Sequence, residues 1–163
     1  MVRQRVGLRF NTRPPRPERE FTGMKIFLAA DHAGFDLKKK AKQILSERGH
    51  AVEDCGALTL DADDDYPDFM SKVAVCVSKN PEARGIIFGG SGQGEAMVAN
   101  RVKGVRAAVL YAFDENIIKL SREHNDANVL SIGTRFVNES DALRAIELWL
   151  NSPFPGDDGI SGD

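Results

Sequence analysis

Residues 89–101 read GGSGQGEAMVANR, which puts four glycines into six positions and then a carboxylate, Glu95, where a short helix is expected to begin. Glycines at that density let successive backbone N–H groups turn toward one oxygen and stabilise negative charge on it, whether present or developing during a reaction. A carboxylate beside such a cradle suits a base that takes a proton next to a carbonyl. The enediolate so formed would be held by Gly90, Ser91, Gly92, Gln93 and Gly94. Taken alone, Glu95 is equally explained as an acid in a first helical turn, complementing the helix dipole by about 0.3–1 kcal/mol. His32 and His124 taken alone are ordinary surface or capping histidines. The residues argue for chemistry only in company: Asp31-His32, His124-Asn125 and Arg135 are expected to meet the glycine loop at one edge of a sheet.

Better-known glycine loops fit poorly. A dinucleotide fingerprint needs GxGxxG after a first strand. Here Gly90-Ser91-Gly92-Gln93-Gly94 gives GxGxG after a third, and Asp114 follows an apolar run that should end a strand. A Walker A loop needs GK[ST], and Glu95 stands where the lysine should be. A nucleophile elbow needs GxSxG, and Gln93 takes its last glycine. The acidic stretch DADDDYPDF is no EF-hand loop, because Tyr66 replaces the turn glycine and Lys72 the final glutamate. Cys55 and Cys76 are too far apart for a zinc ribbon or a CxxC motif. No cluster has metal-ligand spacing, so neither a metal nor a cofactor is expected.

The elements that must position these residues alternate. MKIFLAA (24–30) is a short apolar run of the kind that makes a buried strand. From Gly34 to Arg48 the period changes: Leu37, Ala41, Ile44 and Leu45 repeat at helical spacing, with lysines 38, 39, 40 and 42 assigned to the wet face. Gly49 stands where a helix C-terminal glycine belongs. Further strands are expected at HAVEDCG, RGIIFGG, GVRAAVLY and ANVLSIG, with helices after Pro67, at EAMVANRV, at DENIIKLSREHN and at SDALRAIELWL. Strands and helices alternating with short connections demand parallel pairing through helical crossovers, hence a three-layer α/β/α sandwich with a Rossmann-like five-stranded parallel sheet. Ligands in such sheets sit outside the carboxyl ends of the strands.

The 163 residues suit one domain with a real core, and a net charge of −2 advertises neither nucleic acid nor anionic lipid. No apolar run approaches the roughly 20 residues of a membrane span. Two cysteines fit a reduced, cytoplasmic setting. Residues 1–23 hold six arginines and three prolines with no sustained periodicity, and are expected to be a disordered extension ahead of a 24–150 domain. Residues 151–163, rich in Gly, Pro and Asp, are expected to form a flexible tail.

At this point the body resembles the ribose-5-phosphate isomerase B family, which also contains galactose-6-phosphate isomerase subunits. The matching pieces are AADHAGFDLK (29–38), DDYPDF (64–69), GGSGQGEAMVANRVKGVRAA (89–108), SREHNDANVLSIGTRFV (121–137) and the helix that ends with Trp149. The resemblance implies metal-free aldose–ketose isomerisation of a phosphorylated sugar, with ribose 5-phosphate and ribulose 5-phosphate as the leading pair. It makes Glu95 the base, in the branch that has Ser91 where many relatives have a catalytic cysteine. It makes His124 the proton donor that opens the furanose ring. Asp31 and His32 become sugar-binding residues, Tyr66 flanks the sugar, Asn125 contacts the enediolate region and Arg135 faces the phosphate. It further implies a homodimer, or a dimer of dimers, with sites shared between subunits.

One departure stands out. The family continues past its last helix into a basic segment whose arginines help bind phosphate, whereas PFPGDDGISGD here has no basic residue. A four- or six-carbon sugar phosphate such as galactose 6-phosphate, or a non-catalytic sugar-phosphate-binding subunit, are therefore the alternatives. Glu95 and His124 speak against the second, since binding alone needs neither a base nor a ring opener.

Overall fold

The computed structural model describes residues 23–56 and 66–156. Residues 1–22 of the expected 1–23 extension and residues 157–163 of the expected tail lie outside the described residues. The chain runs β1 (Lys25–Ala30), α1 (Phe35–Glu47), β2 (Ala51–Asp54), α2 (Tyr66–Lys79), β3 (Arg84–Gly89), α3 (Gln93–Ala99), β4 (Ala107–Leu110), α4 (Glu115–Glu123), β5 (Val129–Gly133) and α5 (Glu139–Asn151). Each expected element is present, most with ends trimmed by a residue or two.

All strand pairs are parallel, in the order β2-β1-β3-β5-β4. Because side chains alternate across a strand, β1 feeds two cores. Ile26, Leu28 and Ala30 join one cluster with α1, α4 and α5; Phe27 and Ala29 join the other with α2 and α3. Both faces are covered, which explains why the strands read as continuous apolar runs. Side-chain caps fix two helix starts: the Asp114 carboxylate accepts from the Ile117 amide at 3.1 Å, and the Asn138 side chain accepts from the Asp141 amide at 2.9 Å. Gly49, at φ 91°, ends the α1 turn in the left-handed region that favours glycine. Among the described residues, no helix is long and apolar enough to cross a membrane.

The wet-face assignment of the lysines needs correcting at one position. Lys38 is 2% exposed, and its Nζ sits 3.0 Å from Asp54 Oδ1 at the end of β2. Its ammonium also lies over the Phe35 ring, 5.2 Å from the centroid. Periodicity placed Lys38 by its charge, but a carboxylate on the neighbouring strand end makes a buried position tenable.

Candidate active site

β1 and β3 are neighbours, yet the chain leaves them toward opposite flanks, α1 leading to β2 and α3 to β4. Their carboxyl ends therefore open the crevice in which open α/β sheets bind ligands. Asp31 follows β1 directly; its amide donates to the Phe88 carbonyl at 3.0 Å and its carboxylate accepts from the Gly34 amide at 2.9 Å. The glycine loop follows β3, and β5 holds it from the other side. The Ser131 hydroxyl donates to the Gly92 carbonyl at 2.6 Å. The Thr134 amide and hydroxyl both donate to the Gly89 carbonyl, at 2.8 and 2.9 Å, and the Arg135 amide donates to the Gly90 carbonyl at 3.1 Å. Three loop carbonyls are thus tied down by β5 and the turn after it.

Glycine is required here by closeness and by conformation. A Cβ on Gly89 would stand 2.0 Å from Glu95 Oε1, so a side chain there would evict the carboxylate. Gly92 caps α3 at φ 75°, which L side chains rarely adopt.

Glu95 is 6% exposed and in no ion pair among the described residues. The backbone amides of Glu95 itself and of Gly92 lie close to its carboxylate. Burial raises its pKa above the ordinary carboxylate range, and the nearby Asp31 charge raises it further, while the two backbone hydrogen bonds pull the other way. A buried carboxyl with a raised pKa beside a second carboxylate is suited to taking and returning a proton. Part of the loop therefore acts on the base itself: the Gly92 amide, expected to face a substrate oxygen, also favours the charged form of Glu95.

His32 is exposed next to Asp31, and Ser91 is half-buried with its hydroxyl accepting from the Gln93 amide at 3.3 Å. Gln93 and Gly94 open α3, and Gln93 is exposed. The Arg135 guanidinium lies over Gly90, its Cζ 3.2 Å from where a Cβ would be. Tyr66 opens α2, but its side chain lies outside the described residues.

His124 and Asn125 depart from the single-edge expectation. His124 caps the C-terminus of α4, its amide donating to the Leu120 carbonyl at 3.1 Å, and both residues are exposed. The loop they begin leads into the start of β5, where the Asn128 side chain accepts from the Arg106 amide at 2.8 Å. That is the amino edge of the sheet, separated from Gly133 by the length of β5, about 13 Å. The reason is topological: connections that enter parallel strands and connections that leave them lie at opposite edges. Within one chain, Asp31, His32, Ser91, Glu95 and Arg135 come together and the His124-Asn125 pair does not join them. Gly89, Ser131 and Thr134, which shape the loop, were not singled out as site residues, since a glycine and two hydroxyls near strand ends carry no distinguishing pattern.

A family model described as Ribose/Galactose Isomerase matches residues 26–160. The chain belongs to this family. Within the ribose/galactose isomerase family, it is 41% identical over 133 residues to the Mycobacterium tuberculosis protein named ribose-5-phosphate isomerase B, covering 82% of this chain and 81% of that one. A Mycoplasma genitalium relative, named probable ribose-5-phosphate isomerase B, is 42% identical over 132 residues, covering 80% of this chain and 86% of its own length. The fold superposes on the crystal structure of a Mycoplasma genitalium ribose-5-phosphate isomerase B with bound ribulose-5-phosphate, with a TM-score of 0.78, 41% identity and coverage of 82% and 88%. It matches the Clostridium thermocellum ribose-5-phosphate isomerase B at a TM-score of 0.77, also with 41% identity, over 83% and 89% of the two chains.

Proposed function

We propose that the protein interconverts ribose 5-phosphate and ribulose 5-phosphate, with Glu95 as the base. The observation that carries this reading is a carboxylate buried beside a glycine loop with no ion pair among the described residues, in a family whose Mycoplasma genitalium member was solved with ribulose-5-phosphate. In the open-chain aldose, Glu95 takes the proton from C2. The C2–H electron pair forms the C1–C2 double bond, and the carbonyl electrons move onto O1. Amides of residues 90–94 not engaged by Glu95 stabilise that oxygen. Glu95 then returns the proton to C1 while the O2 proton is carried to O1, Asp31 relaying it between the two oxygens, which gives the ketose. A base kept partly desolvated is better matched to this shuttle near neutral pH than an ordinary carboxylate.

His124 enters the reading through a second copy of the chain. It stands at the amino edge, so a homodimer that seats this edge against the partner's carboxyl edge brings it to the sugar ring, where it donates a proton to the ring oxygen and opens the furanose. Asn125 then reaches the enediolate region. Large apolar side chains left exposed, Met97 at 67%, Ile117 at 59% and Phe136 at 64%, support such an assembly. Arg135 and His32 face the phosphate, and Tyr66 flanks the sugar.

The test is turnover by the purified full chain against a panel of aldose phosphates in deuterated water. Conversion of ribose 5-phosphate to ribulose 5-phosphate, with solvent deuterium entering the transferred position, is expected. Turnover of a six-carbon phosphate in preference to the pentose would move the protein to the galactose branch, and binding without any turnover would make it a sugar-phosphate-binding subunit.

A further inference from the structure

A cavity of about 550 Å³ lies at the amino edge of the sheet, lined by three arginines and two carboxylates, Glu82 and Asp126. Arg84 starts β3, Arg106 immediately precedes β4 and Arg122 belongs to the last turn of α4. Two of the three guanidinium groups each make three hydrogen bonds. Arg122 donates from Nε to the Ser152 carbonyl at 3.2 Å, and from Nη1 to Asp126 Oδ1 at 2.9 Å and the Ala127 carbonyl at 2.6 Å. Arg106 donates from Nε to the Asp126 carbonyl at 2.8 Å, from Nη1 to the Gly104 carbonyl at 3.2 Å and from Nη2 to Asp126 Oδ2 at 3.0 Å. Both carboxylate oxygens of Asp126 are therefore taken.

Arg84 is in a different position. Its one hydrogen bond among the described residues runs from Nη1 to the Ala83 carbonyl at 2.9 Å, and none of the ion pairs includes it. Burial and then repulsion from Arg122 push its pKa below the ordinary arginine range, and Asp126 and Glu82 offset this only in part. The Nε–Nη2 edge, the side of the guanidinium that grips a phosphate or carboxylate with two parallel bonds, is left over. Met24, Leu150 and Phe154 add apolar wall to the same cavity, room for the carbon body of a ligand. The volume falls inside the range of about 300–1,000 Å³ usual for small-molecule sites.

We propose that this cavity binds a small phosphorylated or polycarboxylate anion on the free edge of Arg84, at a site separate from the glycine loop. None of Asp31, His32, Glu95 or Arg135 lines it, and the length of β5 stands between. The inference is independent of which sugar the carboxyl edge takes.

Inorganic pyrophosphate titrated calorimetrically into the full chain at constant ionic strength tests it, with Arg135→Ala used to weaken binding at the glycine loop. One binding event persists in Arg135→Ala. Adding Arg84→Gln weakens that event at least tenfold, the loss expected for two charge-assisted bonds, while adding Glu82→Gln tightens it by removing a competing carboxylate. Loss of all binding in Arg135→Ala, or an affinity within twofold after Arg84→Gln, overturns the proposal. So does a raised KM for ribose 5-phosphate in Arg84→Gln with no second binding event, because the arginine would then belong to a partner's active site. If Arg84→Gln does not fold, the Glu82→Gln arm decides, and unchanged affinity there overturns the proposal.

Discussion

At the amino edge of the sheet, Asn128 accepts from the Arg106 amide at 2.8 Å and donates to the Gly104 carbonyl at 2.9 Å, while Asp126 holds one arginine on each oxygen. At the carboxyl edge, Glu95 is buried with no ion pair among the described residues, and the groups that favour its charged form are the backbone amides of Glu95 and Gly92. The same strands thus end in opposite electrostatic economies. Where Asp126 and Asn128 are answered, the chain is being fixed. Glu95, left under-compensated, has the free energy to move a proton.

The largest effect separating the two edges is expected from Glu95→Gln. The amide fills the same space and cannot act as a base, so turnover falls about 10²–10⁴-fold while substrate still binds. His124→Ala strikes the other edge. It depresses turnover of cyclic ribose 5-phosphate far more than that of ribulose 5-phosphate, which cannot form the same furanose. Mixing the two inactive variants under conditions that exchange subunits restores part of the activity if each site takes Glu95 from one copy and His124 from its partner. No recovery on mixing, with exchange verified by mass spectrometry, would confine the site to one chain.

Next in size is the phosphate end. Each charge-assisted bond to phosphate is worth about 1.5–3 kcal/mol, so Arg135→Ala should raise KM for ribose 5-phosphate about tenfold or more, and KM should rise with salt. Grafting an arginine-bearing tail after Pro155 lowers KM with little change in kcat, because phosphate binding remote from the reacting carbons is felt equally in ground and transition states. A micromolar KM in the native chain, unmoved by the graft, would mean that Arg135, His32 or another cation already suffices.

How much of this was legible in the residues differs between the edges in the same way. The alternation of short apolar runs with segments of helical spacing exposed all ten elements, and the density of glycine before Glu95 marked the crevice, because both signals are local. Lys38 was misread since its counter-charge, Asp54, lies on another element, 16 residues on. His124 was assigned to the wrong edge although chain direction carries the information: a residue that closes a helix before a strand must lie at that strand's amino end. The Arg84 cavity left no local signal, because its walls come from the starts of four strands and the ends of two helices.

The smallest effect tests the electrostatics of Glu95 directly. Its pKa is raised in the folded protein, chiefly by burial, so the fold holds that proton more tightly than the unfolded chain does. The associated stability is fully present below the unfolded carboxylate pKa and is lost as pH rises through the raised folded value. At neutral pH the ionised side chain is therefore a liability, and Glu95→Gln should melt higher than the native protein. About 1 kcal/mol corresponds to roughly 2–4 °C in a chain of this size. The gap should close as pH falls below the carboxylate range, where both side chains are neutral. Asp31→Asn sharpens the point, since it removes the repulsion that adds to burial: the acid limb of kcat/KM should move to lower pH, with the melting gap at neutral pH narrowed. A Glu95→Gln variant no more stable than native at neutral pH, and an acid limb unmoved by Asp31→Asn, would show that the backbone amides of Gly92 and Glu95 fully compensate the buried charge.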